Sequence, residues 1–256
     1  MAACSILIDH TTTSATLAEE LAAHSAERGI RFLDAPVSGG QAGAVQGRLT
    51  IMVGGDPQDL MAAEPVMAAY GQRITHVGGH GAGQRCKMVN QICIAGILQG
   101  ISEGLTLAKA SGLDIATVAK VLGGGAAQSW QLDNRALTMA AGEFNFGFAI
   151  EWMHKDLGFC LVEAERLGLD LPMSRDVDAR YQALIARGLG IHLELHTQSI
   201  ARCVVALGID ADPTTVHARA ILPDDHIIAV IGHCHRVRTV KRRLATGGGG
   251  VDFFGQ

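Results

Sequence analysis

The chain has 256 residues and a formal net charge of −4, with 18% charged and only 4% aromatic residues. This length is enough for one large or two small domains with a sizeable core. A slightly acidic chain has no general attraction for nucleic acid or an anionic membrane, so neither is expected as a partner. The six cysteines form no Cys-x-x-Cys pair, which predicts buried thiols rather than a disulfide framework.

The sequence also bears on whether the protein is directed to a membrane or a secretory route. No positively charged leader precedes an apolar signal core. The most apolar run, Ile92 to Ile101, is interrupted by Gln99 and is too short to span a bilayer. Together with the free thiols, these features predict a cytoplasmic protein.

The first eighty residues alternate between strand and helix patterns. Ser14 is a predicted N-cap and Gly29 a predicted helix end. In chain order, the pattern predicts a strand at 4–8, a helix at 17–28, strands at 31–34 and 49–53, a helix at 59–70 and a strand at 74–77. Such alternation is typical of an α/β domain.

After Gly83 the strand patterns fade. Helical periodicity predicts helices at 84–111, 115–122, 130–141, 153–167 and 174–187. The predicted fold class is therefore α/β followed by all-α, with domains at 1–80 and 81–190. Residues 191–256 have weak periodicity, and we expect them to be a divergent, partly disordered extension.

Lys87 is the first candidate for chemistry. On a helix it shares one face with Asn90 and Gln91, while Met88 and Ile92 beside it are apolar. Apolar surroundings lower the pKa of a lysine toward neutrality, as an acid/base group requires. Taken alone, the segment favours the alternative of a surface lysine near the start of a helix.

A glycine-rich segment forms the second candidate. Ser38, Gly39 and Gly40 follow the strand pattern that ends at Asp34. Glycines let backbone N–H groups approach an anion, and the Ser38 hydroxyl adds a donor, so a small carboxylate could bind there. The alternative is an ordinary tight turn between two strands.

Four segments together carry a family resemblance over roughly residues 5 to 190. They are Asp34-Ala-Pro-Val-Ser-Gly-Gly, Leu49-Thr-Ile-Met-Val-Gly-Gly, Gly81-Ala-Gly-Gln through Lys87 and Asn90, and Phe146-Gly-Phe followed by Lys155-Asp-Leu. The chain resembles the β-hydroxyacid dehydrogenase family, which includes 3-hydroxyisobutyrate dehydrogenase and tartronate semialdehyde reductase. The resemblance implies a partial Rossmann-type domain followed by a helical domain like that of 6-phosphogluconate dehydrogenase.

The resemblance also implies an activity. It is the NAD- or NADP-dependent interconversion of a small β-hydroxyacid and its semialdehyde, in a homodimer or higher homo-oligomer. Lys87 would be the general acid/base. The substrate carboxylate would bind at Ser38, Gly39 and Gly40, and Asn90 or Gln91 would orient the substrate hydroxyl or Lys87 itself.

Two further positions are implied to contact the cofactor. Thr12 matches the family's hydroxyl at a strand end, in Asp9-His-Thr-Thr-Thr-Ser, although threonine also caps helices routinely. Lys155 matches a lysine that reaches the nicotinamide cofactor, and its alternative is a solvated pair with Asp156. Trp130 could line the substrate pocket or pack in the core.

One family motif has no counterpart at its usual place. The family opens with Gly-x-Gly-x-x-Gly after its first strand, where the loop holds the pyrophosphate, and this chain has none there. We therefore expect a truncated chain that binds NAD(P) poorly. The rival hypothesis is a non-catalytic binding or assembly protein derived from the family, although the presence of Lys87 favours an enzyme. The hydroxyacid and the choice between NAD and NADP stay open.

The last third of the chain contains two motifs that we interpret as chance. His192-Leu-Glu-Leu-His places two histidines four residues apart, but it is not His-Glu-x-x-His, and no Pro-Cys-x-x-Cys follows. His233-Cys-His is too crowded for a standard zinc site, so no metal is predicted. The basic run 236–243 lacks interleaved aromatic residues and is interpreted as a solvated tail.

Overall fold

The computed structural model describes residues 5–144 and 148–188, and the backbone of 227–230. The strands are β1 (Ile6–Asp9), β2 (Arg31–Asp34), β3 (Val37–Ser38), β4 (Leu49–Gly55), β5 (Gly71–Gly78) and β6 (Ile227–Val230). The helices are α1 (Ala15–Ala26), α2 (Gly40–Val45), α3 (Pro57–Met67), α4 (Ala82–Ala110), α5 (Ile115–Gly123), α6 (Trp130–Ala141), α7 (Ile150–Arg166) and α8 (Pro172–Ala186).

This element order confirms the predicted fold class. The first part of the chain forms a mixed sheet with helices, and from α4 to residue 188 the described residues are helical. The domain limits drawn from the sequence stay predictions. Of the segment 191–256, the structure describes only β6, which the weak periodicity did not predict.

The sheet has the strand order β3-β4-β2-β1-β6, and β5 pairs with β4. β1 and β2 are parallel, with their last residues Asp9 and Asp34 paired. β6 lies parallel to β1 on its other edge. Because parallel strands end at the same edge, the loops that follow β1 and β2 leave the sheet side by side.

Two cores flank this junction. The sheet core contains Ile8, Leu33 and Ile51, each fully buried, with α3 packed against it. The helical core is built around α4 and α7, where Leu157 is fully buried beside Met88. α4 thus carries residues of the helical core and also packs on β4.

An ionic cluster ties three helices together. Arg85 of α4 donates to Glu19 of α1 at 2.6 Å and to Glu163 of α7 at 2.7 Å. Hydrogen bonds from Arg166 and then from Arg85 lower the pKa of Glu163 to about 2, although its burial opposes them. The cluster therefore fixes α1 and α7 against the first turns of α4.

α4 is the one helix among the described residues that is long and apolar enough to cross a membrane, by length and composition only. Its first turns carry Gln84 and Gln91, both almost completely buried and hydrogen-bonded to other parts of the chain. Only 22% of the most apolar window of α4 is buried, so these contacts fix the first turns and leave most of the helix surface uncovered.

Candidate active site

The start of α4 is locked to the ends of β1 and β2. The Asp34 carboxylate accepts hydrogen bonds from the backbone N–H groups of Gly81, at 2.8 Å, and Gln84, at 3.0 Å. The Gln84 side chain in turn donates to the Thr11 carbonyl and accepts from the Thr13 N–H. A buried carboxylate thus satisfies the free N–H groups at the helix start, and the loop after β1 is held from both sides.

Glycine is required within this junction. Gly81 has φ +82°, a left-handed conformation that favours glycine. A Cβ on Gly83 would overlap the carbonyl oxygens of Asp34 and Met52. The Gly-x-Gly spacing before Gln84 therefore allows α4 to approach the sheet closely.

Lys87 lies one turn further along α4 and is buried, with 7% of its surface exposed. The alternative of a surface lysine does not match this position. Burial lowers the pKa of Lys87, the nearby Asp156 raises it, and Lys155 lowers it. The result is a lysine that releases its proton more readily than an exposed lysine does.

Side-chain hydrogen bonds connect Ser38 to Asp156 through Asn90 and Gln91, two residues close to Lys87 on α4. The Ser38 hydroxyl lies 3.5 Å from the Asn90 side-chain oxygen, and the Asn90 amide donates to Gln91 at 2.7 Å. Gln91 donates to the Asp156 carboxylate at 2.7 Å and is 1% exposed. Because both ends of the Gln91 amide are used inside the protein, Gln91 supports Asp156. Asn90 and Ser38 are only half-buried and lie nearer the solvent.

Asp156 is the residue that the sequence interpretation missed as a site group. It is 4% exposed, and it affects the pKa of Lys87. One carboxylate oxygen accepts from Gln91, while the other has no hydrogen bond and lies 3.1 Å from the Lys155 amino group. Its only signal in the sequence was its place beside Lys155.

Lys155 reaches across to the loop after β1. Its amino group donates to the Thr12 carbonyl at 2.9 Å, and its side chain is 29% exposed, so it is not a solvated surface pair. Ser14, and not Thr12, caps α1, since its hydroxyl accepts from the Leu17 N–H. Thr12 therefore does not cap α1, which was the alternative interpretation of this residue.

Residues 38–40 do not form the tight turn between two strands that was the alternative interpretation of this segment. β3 ends at Ser38, and the short helix α2 begins at Gly40. Gly39 has φ +132° and Gly40 has φ +57°, and these left-handed conformations explain why the segment resembles a turn in sequence. Both glycines are exposed, so their backbones remain open to a ligand.

The remaining candidates lie apart from this cluster or cannot be placed. Trp130 is 55% exposed at the start of α6, with Arg135 stacked on its ring, so it does not pack in the core. Within residues 5–144 and 148–188, no group of three His, Cys, Asp or Glu side chains could hold a metal ion. Phe146, His192 to His196, His233 to His235 and 236–243 lie outside the described residues.

Polar groups lie on the Lys155 side of the buried Lys87. Lys155, whose charge acts on Lys87, donates to the Thr12 carbonyl, so the polar groups that a nicotinamide and its ribose would need are present there. In the described part of the chain, the long helices beside the sheet offer no phosphate cradle. α4 is capped by the Asp34 carboxylate, α3 has the acidic N-cap Asp56, and the α1 cap uses Ser14.

Two family models match the chain in succession. Residues 1–78 match the NAD binding domain of 6-phosphogluconate dehydrogenase. Residues 81–201 match the NAD-binding domain of NADP-dependent 3-hydroxyisobutyrate dehydrogenase. Together the two models cover the residues that carry the resemblance to the β-hydroxyacid dehydrogenase family. The resemblance found in the sequence is thereby confirmed.

Its relatives among curated proteins are longer. An uncharacterized oxidoreductase of Shewanella frigidimarina is 54% identical over 186 residues, which cover 73% of this chain and 64% of the relative. The 2-hydroxy-3-oxopropionate reductase of Escherichia coli is 38% identical, with 71% of this chain and 62% of the reductase covered. This chain therefore spans less than two thirds of the length of these relatives.

A solved structure supports the same relation. The 3-hydroxyisobutyrate dehydrogenase of Mycobacterium tuberculosis, described with L-serine, is 32% identical and superposes with a TM-score of 0.66. The match covers 71% of this chain and 65% of that one. Over the matched part, the sheet and helices of this chain thus have the arrangement of that solved dehydrogenase.

Proposed function

We propose that this chain carries the catalytic side of an NAD(P)-dependent oxidoreductase that interconverts a small β-hydroxyacid and its semialdehyde. The observation that carries the proposal is the buried Lys87, whose pKa is lowered by burial. Asn90, one turn after Lys87 on α4, contacts Ser38, and Lys155, whose charge acts on Lys87, contacts Thr12. The first contact suits a substrate carboxylate and hydroxyl, and the second suits a cofactor.

In the acid/base step one proton passes between the Lys87 amino group and the substrate oxygen. When bound, NADH or NADPH supplies a hydride to the aldehyde carbon. Lys87 donates its proton to the oxygen of that carbon as negative charge develops there, and it recovers the proton when the reaction runs in the direction of oxidation. Because its pKa is lowered, the amino group can act as an acid in reduction and as a base in oxidation at a pH closer to neutral.

The substrate would be held by groups that cannot titrate. Ser38 supplies a hydroxyl, and the exposed backbones of Gly39 and Gly40 supply N–H donors to the carboxylate. Asn90 would orient the substrate hydroxyl, while Gln91 keeps Asp156 in place. The Asp156 side chain raises the pKa of Lys87 and so opposes the lowering caused by burial.

Hydride transfer is the direct test. The full chain would be assayed by NAD(P)H absorbance with 3-hydroxyisobutyrate, L-serine and 2-hydroxy-3-oxopropionate, which are named for its relatives. Lys87→Met should lower kcat by about 10²–10⁴-fold, the usual contribution of a positioned acid/base. Lys109→Met, at the exposed end of the same helix, is the matched control.

Cofactor binding would be measured alongside. Because the described helices lack a phosphate cradle, we expect calorimetry to give affinity for NAD or NADP weaker than micromolar. If kcat for Lys87→Met stays within a few-fold of that for Lys109→Met, the acid/base role is wrong. Cofactor-independent ligand binding with no hydride transfer would favour the non-catalytic alternative.

A further inference from the structure

His10 and Tyr70 form a buried pair beside the loop that follows β1. His10 follows the last residue of β1 and is 5% exposed. Its Nδ1 lies 2.6 Å from the Ala35 carbonyl oxygen, and its Nε2 lies 2.8 Å from the Tyr70 hydroxyl. The two rings meet edge to face, with planes at 88°.

These partners define the protonation of the ring. A carbonyl only accepts, so Nδ1 of His10 must carry the hydrogen, and Nε2 accepts from the Tyr70 hydroxyl. Burial lowers the pKa of His10 to about 4 and raises that of Tyr70. At neutral pH the pair is therefore an uncharged unit in which Tyr70 donates to His10 and His10 donates to Ala35.

The unit joins the two loops that form the site. The last residues of β1 and β2, Asp9 and Asp34, are paired, and the Ala35 N–H donates to the Asp9 carbonyl at 2.7 Å. One residue further on, the His10 side chain continues the connection to Ala35. Thr12, which receives Lys155, lies two residues after His10, and Ser38 lies three residues after Ala35.

We propose that His10, anchored by Tyr70, is a positioning residue that sets the spacing between the Thr11–Thr13 loop and the Ala35–Ser38 segment. The inference rests on the proposed function, because that spacing would become the distance between cofactor and substrate carboxylate. His10 itself is too deeply buried to touch either ligand. Its hydrogen bonds, and not its volume, are the property that matters.

Two substitutions separate bonding from volume. In His10→Asn, the side-chain NH₂ can take the place of Nδ1 and keep the bond to Ala35. In His10→Leu, a residue of similar bulk is kept without either bond. A positioning role predicts that asparagine rescues and leucine does not, whereas a packing role predicts the reverse. Tyr70→Phe removes only the anchoring hydroxyl.

The first readout needs no catalysis. In the full 256-residue chain, hydrogen exchange at residues 11–13 and 37–38 should accelerate at least about tenfold in His10→Leu, and by less than about threefold in His10→Asn. His24→Leu, on the exposed face of α1, is the control. The nitrogen resonances of His10 in the parent should be those of the neutral Nδ1–H form.

The second readout uses 3-hydroxyisobutyrate as the probe. His10→Leu should raise KM, or the dissociation constant where turnover is absent, about tenfold, with kcat changed less. Equal exchange and equal affinity in His10→Leu and His10→Asn would overturn the positioning role. If exchange accelerates in the leucine variant while the parent transfers no hydride, the positioning role stands and the proposed dehydrogenase function fails.

Discussion

Replacing Gln91 by leucine tests the buried support behind Lys87. Gln91 is 1% exposed and donates to Asp156 at 2.7 Å, while the other oxygen of that carboxylate has no hydrogen bond. In Gln91→Leu the carboxylate keeps only its ion pair with Lys155. A hydrogen bond to a buried charged group contributes about 1.5–3 kcal/mol, so we expect a loss of about 2 kcal/mol in the free energy of unfolding.

The same helix offers a matched control. Gln99 donates to Glu103 at the exposed surface of α4, where such a bond contributes no more than about 0.5 kcal/mol. Urea denaturation of the full chain, followed by circular dichroism, would compare Gln91→Leu with Gln99→Leu. The midpoint should fall for Gln91→Leu at an unchanged m-value.

A charged replacement sharpens the experiment. Gln91→Glu sets a second carboxylate against Asp156, so its free energy of unfolding should fall further at neutral pH and should recover as the pH is lowered, because protonation removes the repulsion between like charges. Equal midpoints for Gln91→Leu and Gln99→Leu would refute the reasoning. So would a Gln91→Glu variant whose stability does not respond to pH.

Three further outcomes follow from the site and its surroundings. Ser38→Ala should raise KM for the hydroxyacid more than it lowers kcat, and Gly39→Val should be worse because valine resists φ +132°; an unchanged KM in steady-state kinetics would place the substrate elsewhere. The pKa of His10, about 4 against an ordinary 6.5, means that the unfolded chain takes up the proton first. Stability should therefore fall by about 3 kcal/mol as the pH drops from about 6.5 to 4, a slope that urea titrations should find missing in His10→Asn. Only 22% of the most apolar window of α4 is buried, so the chain should self-associate, and a monodisperse monomer in light scattering would contradict this.

Local signals predicted the regular elements well. The bounds of β2 and α6 agree with the sequence pattern, and the Ser14 cap of α1 is confirmed. These elements carry their own start and stop residues, so neighbours in the chain are enough to define them. The burial of Lys87 was likewise indicated by the apolar residues beside it.

Non-local contacts account for what was missed. β3 has two residues and exists because it pairs with β4, while Gly39 and Gly40 resemble a turn in sequence. β6 pairs with a strand more than two hundred residues earlier. The role of Asp156 depends on Gln91, 65 positions away, and that of Gln84 on Thr13, 71 positions away. No periodicity within a window reports such partners.

The hydrogen bonds that the Asp34 carboxylate accepts from the backbone at the start of α4 hold that end of the helix in place. At 1.5 Å per residue, Lys87 lies only about 9 Å from Gly81, whereas Ala110 lies about 43 Å away. A tilt of about 5° would therefore move the far end by about 4 Å and the backbone at Lys87 by less than about 1 Å. The proposed acid/base lysine thus lies close to the fixed end of the helix. A contact made on the distal turns of α4 would displace the lysine backbone very little.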